Sequence, residues 1–205
     1  ESFRDGGVTT GEKSGLPANR YQFHFPSNQY MGANDRQINL IEFLNKNEEL
    51  KEVFKPEFMK SLTNREGTSI SVEYPKDSAS KFISLYGFDE FFETLPDNLE
   101  RFDFVKSNNR YGESSDEVAL TIPKTLGRFK NLNALHLEGI IKELPKEIEE
   151  LKDLVFLSLP NNNNLTTIPK GISNLKNLQV INLKNSPNVK IPDEIENNKK
   201  LHIFR

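Results

Sequence analysis

A repeated pattern of 22 to 24 residues constrains the fold of this chain more than any other feature. Each repeat reads apolar-x-x-apolar-x-apolar, then a polar turn, then Leu or Ile before Pro, then x-x-Ile. Three segments align in this way: LNALHLEGIIKELPKEI, LVFLSLPNNNNLTTIPKGI and LQVINLKNSPNVKIPDEI. The strand starts fall at Leu132, Leu154, Leu178 and Leu201. The Leu/Ile-Pro pairs begin at Ile122, Leu144, Ile168 and Ile191. Both landmarks keep spacings of 22, 24 and 23 residues, which indicates a stack of structural repeats.

The middle repeat shows what each position contributes. Leu154, Leu157 and Leu159 are spaced to point inward from one short strand. The four asparagines from Asn161 to Asn164 follow at the turn, because asparagine tolerates left-handed backbone and bonds to nearby main-chain groups. Pro169 then fixes the start of the outer segment. No coil buries its leucines alone, so stacked neighbours are expected to share one core.

The pattern resembles the leucine-rich repeat family, clearly over residues 120–205 and loosely over 82–104. In the earlier stretch, LPDNLERFDF places Leu99, Phe102 and Phe104 in the same strand pattern. The resemblance implies an α/β solenoid with a parallel concave sheet. The asparagine that the family carries three residues after the last strand leucine is not kept in every repeat, since the corresponding positions are Ile140, Asn162 and Ser186. We therefore expect a broken side-chain ladder and coils of irregular height.

The sequence outside the clear repeats predicts three further segments. Residues 1–33 lack periodicity and are expected to form an extended or flexible arm. Residues 34–67 predict a small helical cap, with Asn34 and Asp35 as cap candidates, Pro56 at a second helix start and Gly67 as a stop. SISVEY predicts a strand, which begins a solenoid over 68–205. Its strand starts Leu99 and Leu132 are 33 residues apart, so we expect a polar insertion at about 106–118.

The composition and the motifs give no case for catalysis, a cofactor or a metal. Cysteine is absent, which excludes disulfides, zinc–thiolate sites and cysteine nucleophiles. The segment Gly6–Gly15 has phosphate-loop glycines, but Glu12 precedes Lys13 and no apolar strand leads into it. The histidines are scattered at His24, His136 and His202, which favours surface imidazoles.

Charge and hydropathy also exclude two classes of partner. The net charge of -3, with 27 Lys and Arg against 30 Asp and Glu, gives no basic face for nucleic acid. No apolar run approaches the ~18 residues of a membrane span, and no small-molecule substrate is evident. Because the sequence starts at Glu1 rather than Met, we expect a fragment or a processed product.

The outward residues of the strands are the better functional prediction. Strand side chains alternate, so the residues beside the inward leucines should face out on the concave side. The first outward column becomes apolar along the array and the second stays polar, an arrangement that suits a protein partner. The predicted partner-binding residues are Ala134, His136, Phe156, Ser158, Val180, Asn182 and Ile203.

Two functions agree with this pattern. The first is a non-catalytic recognition module that binds a protein through the concave sheet. The alternative is a structural or assembly subunit, for example of a virion or a surface complex, held to neighbouring subunits by its arm and solenoid ends. The arm, the stop at Arg205 within a repeat and the missing catalytic set favour the alternative. Fold-level analogy does not separate the two.

Overall fold

A computed structural model of the protein describes residues 2–4, 7–10, 21–24, 29–31, 40–63, 68–74, 78–106, 120–139 and 141–205. Four strands lie near the start: β1 (Ser2–Arg4), β2 (Gly7–Thr10), β3 (Tyr21–His24) and β4 (Gln29–Met31). They pair antiparallel in chain order. The segment thus contains a paired sheet where we expected an extended or flexible arm. The limits of arm, cap and solenoid stay predictions.

Two helices follow, α1 (Leu40–Lys46) and α2 (Glu49–Thr63). Leu40 and Leu44 of α1 and Leu50 and Phe54 of α2 are buried, one turn apart in each helix. The prediction that Pro56 begins the second helix is wrong, because it lies inside α2. Burial of the preceding turn stabilises the helix even though proline removes one backbone hydrogen bond. The predicted cap residues at 34–35 and the stop at 67 lie outside the described residues.

Six parallel strands form the main sheet. The two strands β7 (Leu120–Thr121) and β9 (Ile141–Glu143) pair separately. The strands of the main sheet are β5 Ser69–Tyr74, β6 Arg101–Lys106, β8 Ala134–Glu138, β10 Phe156–Ser158, β11 Val180–Asn182 and β12 His202–Phe204. Their spatial order is β12-β11-β10-β8-β6-β5. One strand per coil, all parallel, is the sheet that the repeat predicted. The polar insertion predicted at 106–118 lies outside the described residues apart from Lys106, which ends β6.

A second layer packs behind this sheet and changes character along the chain. Helices α3 (Ser78–Tyr86) and α4 (Phe88–Glu93) come first. Three 3₁₀ helices follow, and α5 (Asp193–Glu196) comes last. The 3₁₀ helices span Lys124–Arg128, Lys146–Glu150 and Lys170–Asn174. Each of them, like α5, starts directly after a proline with φ between -56° and -71°. Proline fixes φ in this range, so it sets the start of each outer segment.

The core lies between the two layers and is continuous. In the coils that start at Pro123, Pro145 and Pro169, every third residue after the proline points into the core, in step with the three residues per turn of a 3₁₀ helix. These buried residues are Leu126, Phe129, Leu132, Ile148, Leu151, Leu154, Ile172, Leu175 and Leu178. The strands supply the facing row Ile70, Phe102, Leu135, Leu157 and Ile181, all buried. Leu157 is 0% exposed, as its place in the repeat predicted.

The asparagine-rich turns leave the strands through left-handed backbone. The second residue after the last strand leucine has positive φ in three successive coils: 74° at Gly139, 59° at Asn161 and 56° at Asn185. Glycine and asparagine adopt this conformation most readily. The asparagines also stack, since Asn185 Nδ2 donates to Asn161 Oδ1 at 3.0 Å.

The expectation of a broken side-chain ladder is wrong for the coils that Asn162 and Ser186 connect. Asn162 is 1% exposed, donates from Nδ2 to Leu137 O (2.7 Å) and accepts at Oδ1 from Ile141 N (2.8 Å). Ser186 Oγ donates to Leu159 O (2.8 Å) and accepts from Asn162 N (2.9 Å). A serine hydroxyl is both donor and acceptor, so it continues the ladder where asparagine is missing. Ile140 lies outside the described residues.

Candidate functional site on the concave sheet

Strand register aligns the outward residues of the main sheet into two columns. The first column runs Ser69, Arg101, Ala134, Phe156, Val180 and His202. The second runs Ser71, Asp103, His136, Ser158, Asn182 and Phe204. Neighbours within a column lie about 4.8 Å apart, because that is the spacing between paired strands. The register therefore brings six of the seven predicted residues side by side on one face.

Five of the predicted residues are partly exposed there: Ala134, His136, Phe156, Val180 and Asn182. Ser158 is not available, because it is only 1% exposed. It lies between His136 and Asn182 in the register, and Asn182 Nδ2 donates to its Oγ at 3.2 Å. A small side chain between two larger ones is covered by them, so Ser158 positions Asn182 rather than contacting solvent.

The predicted outward position of Ile203 is wrong. Ile203 pairs with Ile181 in the inward row and packs against the core. The last coil carries Asn198 where the others place Phe129, Leu151 and Leu175. It turns through the α-helical hydrogen bond from Asn197 N to Asp193 O (3.0 Å). Its strand consequently reaches register 10 residues after Pro192, whereas strand β10 begins 11 residues after Pro145.

This shift places two residues on the face that the repeat pattern had missed, His202 beside Val180 and Phe204 beside Asn182. Phe204 is 58% exposed, the most exposed large hydrophobic residue in the described part of the chain. The polar Asn198 at an otherwise apolar position was the sequence signal for the shift.

Apolar side chains on this face border a depression of about 370 Å³. Its lining residues are Phe156, Val180, Asn182, Lys184, Phe204 and Arg205. Asn182 is held on both sides, since its Nδ2 donates to Ser158 and its Oδ1 accepts from Lys184 N at 3.1 Å. An apolar floor with one oriented amide at its margin can seat a side chain and bond to polar atoms beside it.

The other end of the face is charged and hydrogen-bonded. Arg101 Nε donates to Asp103 Oδ2 at 2.8 Å, and this hydrogen bond and the Asp103 charge raise the pKa of Arg101. His136 Nε2 lies 3.3 Å from Glu138 Oε2, and Asn161 Nδ2 donates to Glu138 Oε1 at 2.7 Å. The acidic side chains here are therefore already engaged by neighbours within the protein.

The coils from Ile122 to Leu183 thus repeat one parallel strand, one polar turn and one 3₁₀ helix around an inward row of Leu and Ile. This is a leucine-rich repeat fold. Within the described residues, no cluster of three or more His, Cys, Asp or Glu side chains is arranged to hold a metal ion. The described helices include none with the length and apolar character to span a bilayer.

Solved structures similar to the chain include one bacterial and one plant protein. One is a leucine-rich repeat protein of Leptospira interrogans, with 26% identity, a TM-score of 0.44 and 70% of this chain covered. The other is the plant peptide hormone receptor RGFR1 in complex with RGF2, with 21% identity, a TM-score of 0.33 and 55% covered. The chain spans 31% and 21% of the lengths of these two proteins. No protein-family model and no curated protein matches it.

Proposed function

We propose that this solenoid is a non-catalytic protein-recognition module that binds a partner through its concave sheet. The observation that carries the proposal is the depression on that sheet, lined by Phe156, Val180 and Phe204 with Asn182 and Lys184 among its polar residues. An apolar anchor surrounded by polar contacts is the arrangement in which a few residues supply most of the binding energy. A short apolar segment of a partner would remove this surface from water.

Phe156 is the residue on which the proposal depends most. It lies in the middle of the first column, between Ala134 and Val180, and it lines the depression. Its neighbour Leu157 points into the core, so the strand is anchored independently of the Phe156 ring. An aromatic side chain on an anchored strand loses little conformational entropy when a partner covers it.

The test is a selection of binders from a displayed library of random linear peptides, followed by titration of single enriched peptides. Phe156→Asp should weaken their binding by at least about 2 kcal/mol, the scale of a hot-spot residue. Val53→Asp is the matched control, because Val53 is a 46% exposed apolar residue on α2. Circular dichroism should show both variants folded.

Two results would contradict the proposal. Equal affinity of the folded Phe156→Asp variant for the enriched peptides would remove the concave sheet as the contact surface. Enrichment of peptides that lose affinity for Val53→Asp instead would place the surface on α2.

A further inference from the structure

Two cationic side chains line the depression, and only one of them lacks an ion-pair partner among the described residues. Arg205 Nη2 lies 2.6 Å from Glu196 Oε1, so its charge is already compensated. Lys184 has an exposed side chain, and no carboxylate of the described residues lies within ion-pair distance of its Nζ. Its backbone is fixed by the hydrogen bond from Lys184 N to Asn182 Oδ1. Among the described residues, the depression therefore presents one uncompensated cation, carried by a fixed backbone beside the apolar floor.

The carboxylates of the concave sheet lie away from this cation. Glu73 is on β5, Asp103 on β6 and Glu138 on β8, whereas Lys184 lies two residues beyond the end of β11. Strands β8 and β11 are two places apart in the sheet, about 10 Å at the usual spacing. None of these carboxylates can neutralise Lys184 across that distance or a longer one in water, where screening is strong.

We infer that the segment bound in this depression is an extended peptide with a large apolar side chain next to an Asp or Glu. The apolar side chain packs on Phe156, Val180 and Phe204, and the carboxylate pairs with Lys184. The inference rests on the proposed function and specifies the chemistry of its partner. A Lys or Arg at the acidic position would place like charges together, which weakens association and excludes competing sequences.

The peptide library distinguishes this chemistry when it is applied to the wild-type protein and to Lys184→Glu. Peptides enriched on the wild type should carry Asp or Glu next to a large apolar residue. Peptides enriched on Lys184→Glu should carry Lys or Arg there instead. A single acidic peptide should bind Lys184→Glu about fivefold more weakly than the wild type at low salt, because exposed pairs contribute modestly. The difference should shrink as salt is added.

Lys176→Glu is the matched control, because Lys176 is also exposed but does not line the depression. It has the same charge change, so it should leave the affinity of the acidic peptide unchanged. An equal loss of affinity in Lys176→Glu and Lys184→Glu would mean that the peptide responds only to the net charge of the protein, and would overturn the inference.

The remaining outcomes separate the inference from the function on which it rests. Enriched peptides that depend on Phe156 but show no acidic preference overturn the inference and leave the concave recognition site standing. Enriched peptides that are indifferent to both Phe156→Asp and Lys184→Glu overturn both proposals, and so does the absence of any enriched peptide.

Discussion

The two halves of the main sheet have the same parallel register but are supported by different structures. Behind β5 and β6 pack the α-helices α3 and α4, with phenylalanine as the main core residue. Behind β8, β10 and β11 lie single 3₁₀ helices, and the core there is leucine and isoleucine. The inward row of the sheet nevertheless runs on from Phe102 to Leu135 without a break.

The phenylalanines explain how one sheet continues over both kinds of support. Phe88 packs on Phe104 with ring centroids 5.2 Å apart, and Phe92 packs on Phe102 at 5.5 Å, both edge to face. Aromatic rings bury more area than aliphatic side chains and gain further from this geometry. We infer that the larger rings fill the space between the α-helices and the strands in front of them.

The junction between the halves is held by Arg128 and Phe129. Arg128 Nη2 donates to Phe92 O (2.8 Å) in the last turn of α4 and to Leu95 O (2.6 Å) just beyond that helix. A cation that bonds to the carbonyls at a helix C-terminus satisfies acceptors that the helix cannot. Phe129 packs on Phe92 with centroids 6.0 Å apart. The 3₁₀ helix that ends at Arg128 thus caps α4, so the two supports are joined directly.

The largest effect is expected at this aromatic junction. Phe92→Ala should reduce the free energy of unfolding by about 3–5 kcal/mol, because it leaves a cavity among several rings. Phe92→Leu should cost clearly less, since most of the volume remains. Denaturant unfolding followed by circular dichroism measures both. Equal costs for the two variants would show that the aromatic contacts, which both remove, matter there rather than the side-chain volume.

A cavity in the leucine half should be nearly as costly. Leu157→Ala should reduce the free energy of unfolding by about 2–5 kcal/mol, the range for fully buried leucines. The exposed Val53→Ala is its control, with an expected change within about 0.5 kcal/mol. An unchanged unfolding midpoint for Leu157→Ala would contradict the inward register of β10.

The difference between the halves also explains what the sequence could predict. The strands of β8, β10 and β11 follow from two landmarks with one period, since leucine, proline and asparagine each recur for a physical reason. The helices α3 and α4 do not follow from that period, because their phenylalanine-rich sequences do not recur elsewhere in the chain. The prediction for Ile203 is wrong because Leu201 keeps the period of the repeat, whereas the register of β12 is shifted by one residue. Burial of Ser158 depends on its neighbours across the strands, which no single repeat reveals.

The coils of the leucine half are also joined by buried side-chain hydrogen bonds in their turns. Asn162→Ala should reduce the free energy of unfolding by about 1–3 kcal/mol, because Leu137 O and Ile141 N would lose a partner in the interior. The control Asn163→Ala alters an exposed asparagine of the same turn and should be within about 0.5 kcal/mol of the wild type. If both variants cost the same, the turn as a whole rather than the buried amide stabilises the coils.

The smallest predicted effect is the dependence of two exposed ion pairs on pH. Lys130 Nζ lies 2.6 Å from Glu150 Oε2 in the next coil, and the hydrogen bond and charge of Lys130 lower the pKa of Glu150. Lys46 lowers the pKa of Glu42 in the same way, but within the single helix α1, which packs against α3. A carboxyl whose pKa is lower in the folded state than in the unfolded state stabilises the protein when the pH is above the ordinary pKa of 4.5. This contribution is lost as the pH falls below 4.5 and through the lowered pKa.

Lys130→Met should therefore be slightly less stable than the wild type at neutral pH, and the difference should vanish as the pH falls well below 4.5. Lys46→Met should behave likewise. Since both carboxylates are exposed, each effect should also diminish with added salt. Unfolding midpoints in denaturant across this pH range measure the differences. A deficit of Lys130→Met that persists in acid would show that Lys130 stabilises the coils through its aliphatic chain, and the contact between these coils would then be one of packing rather than of charge.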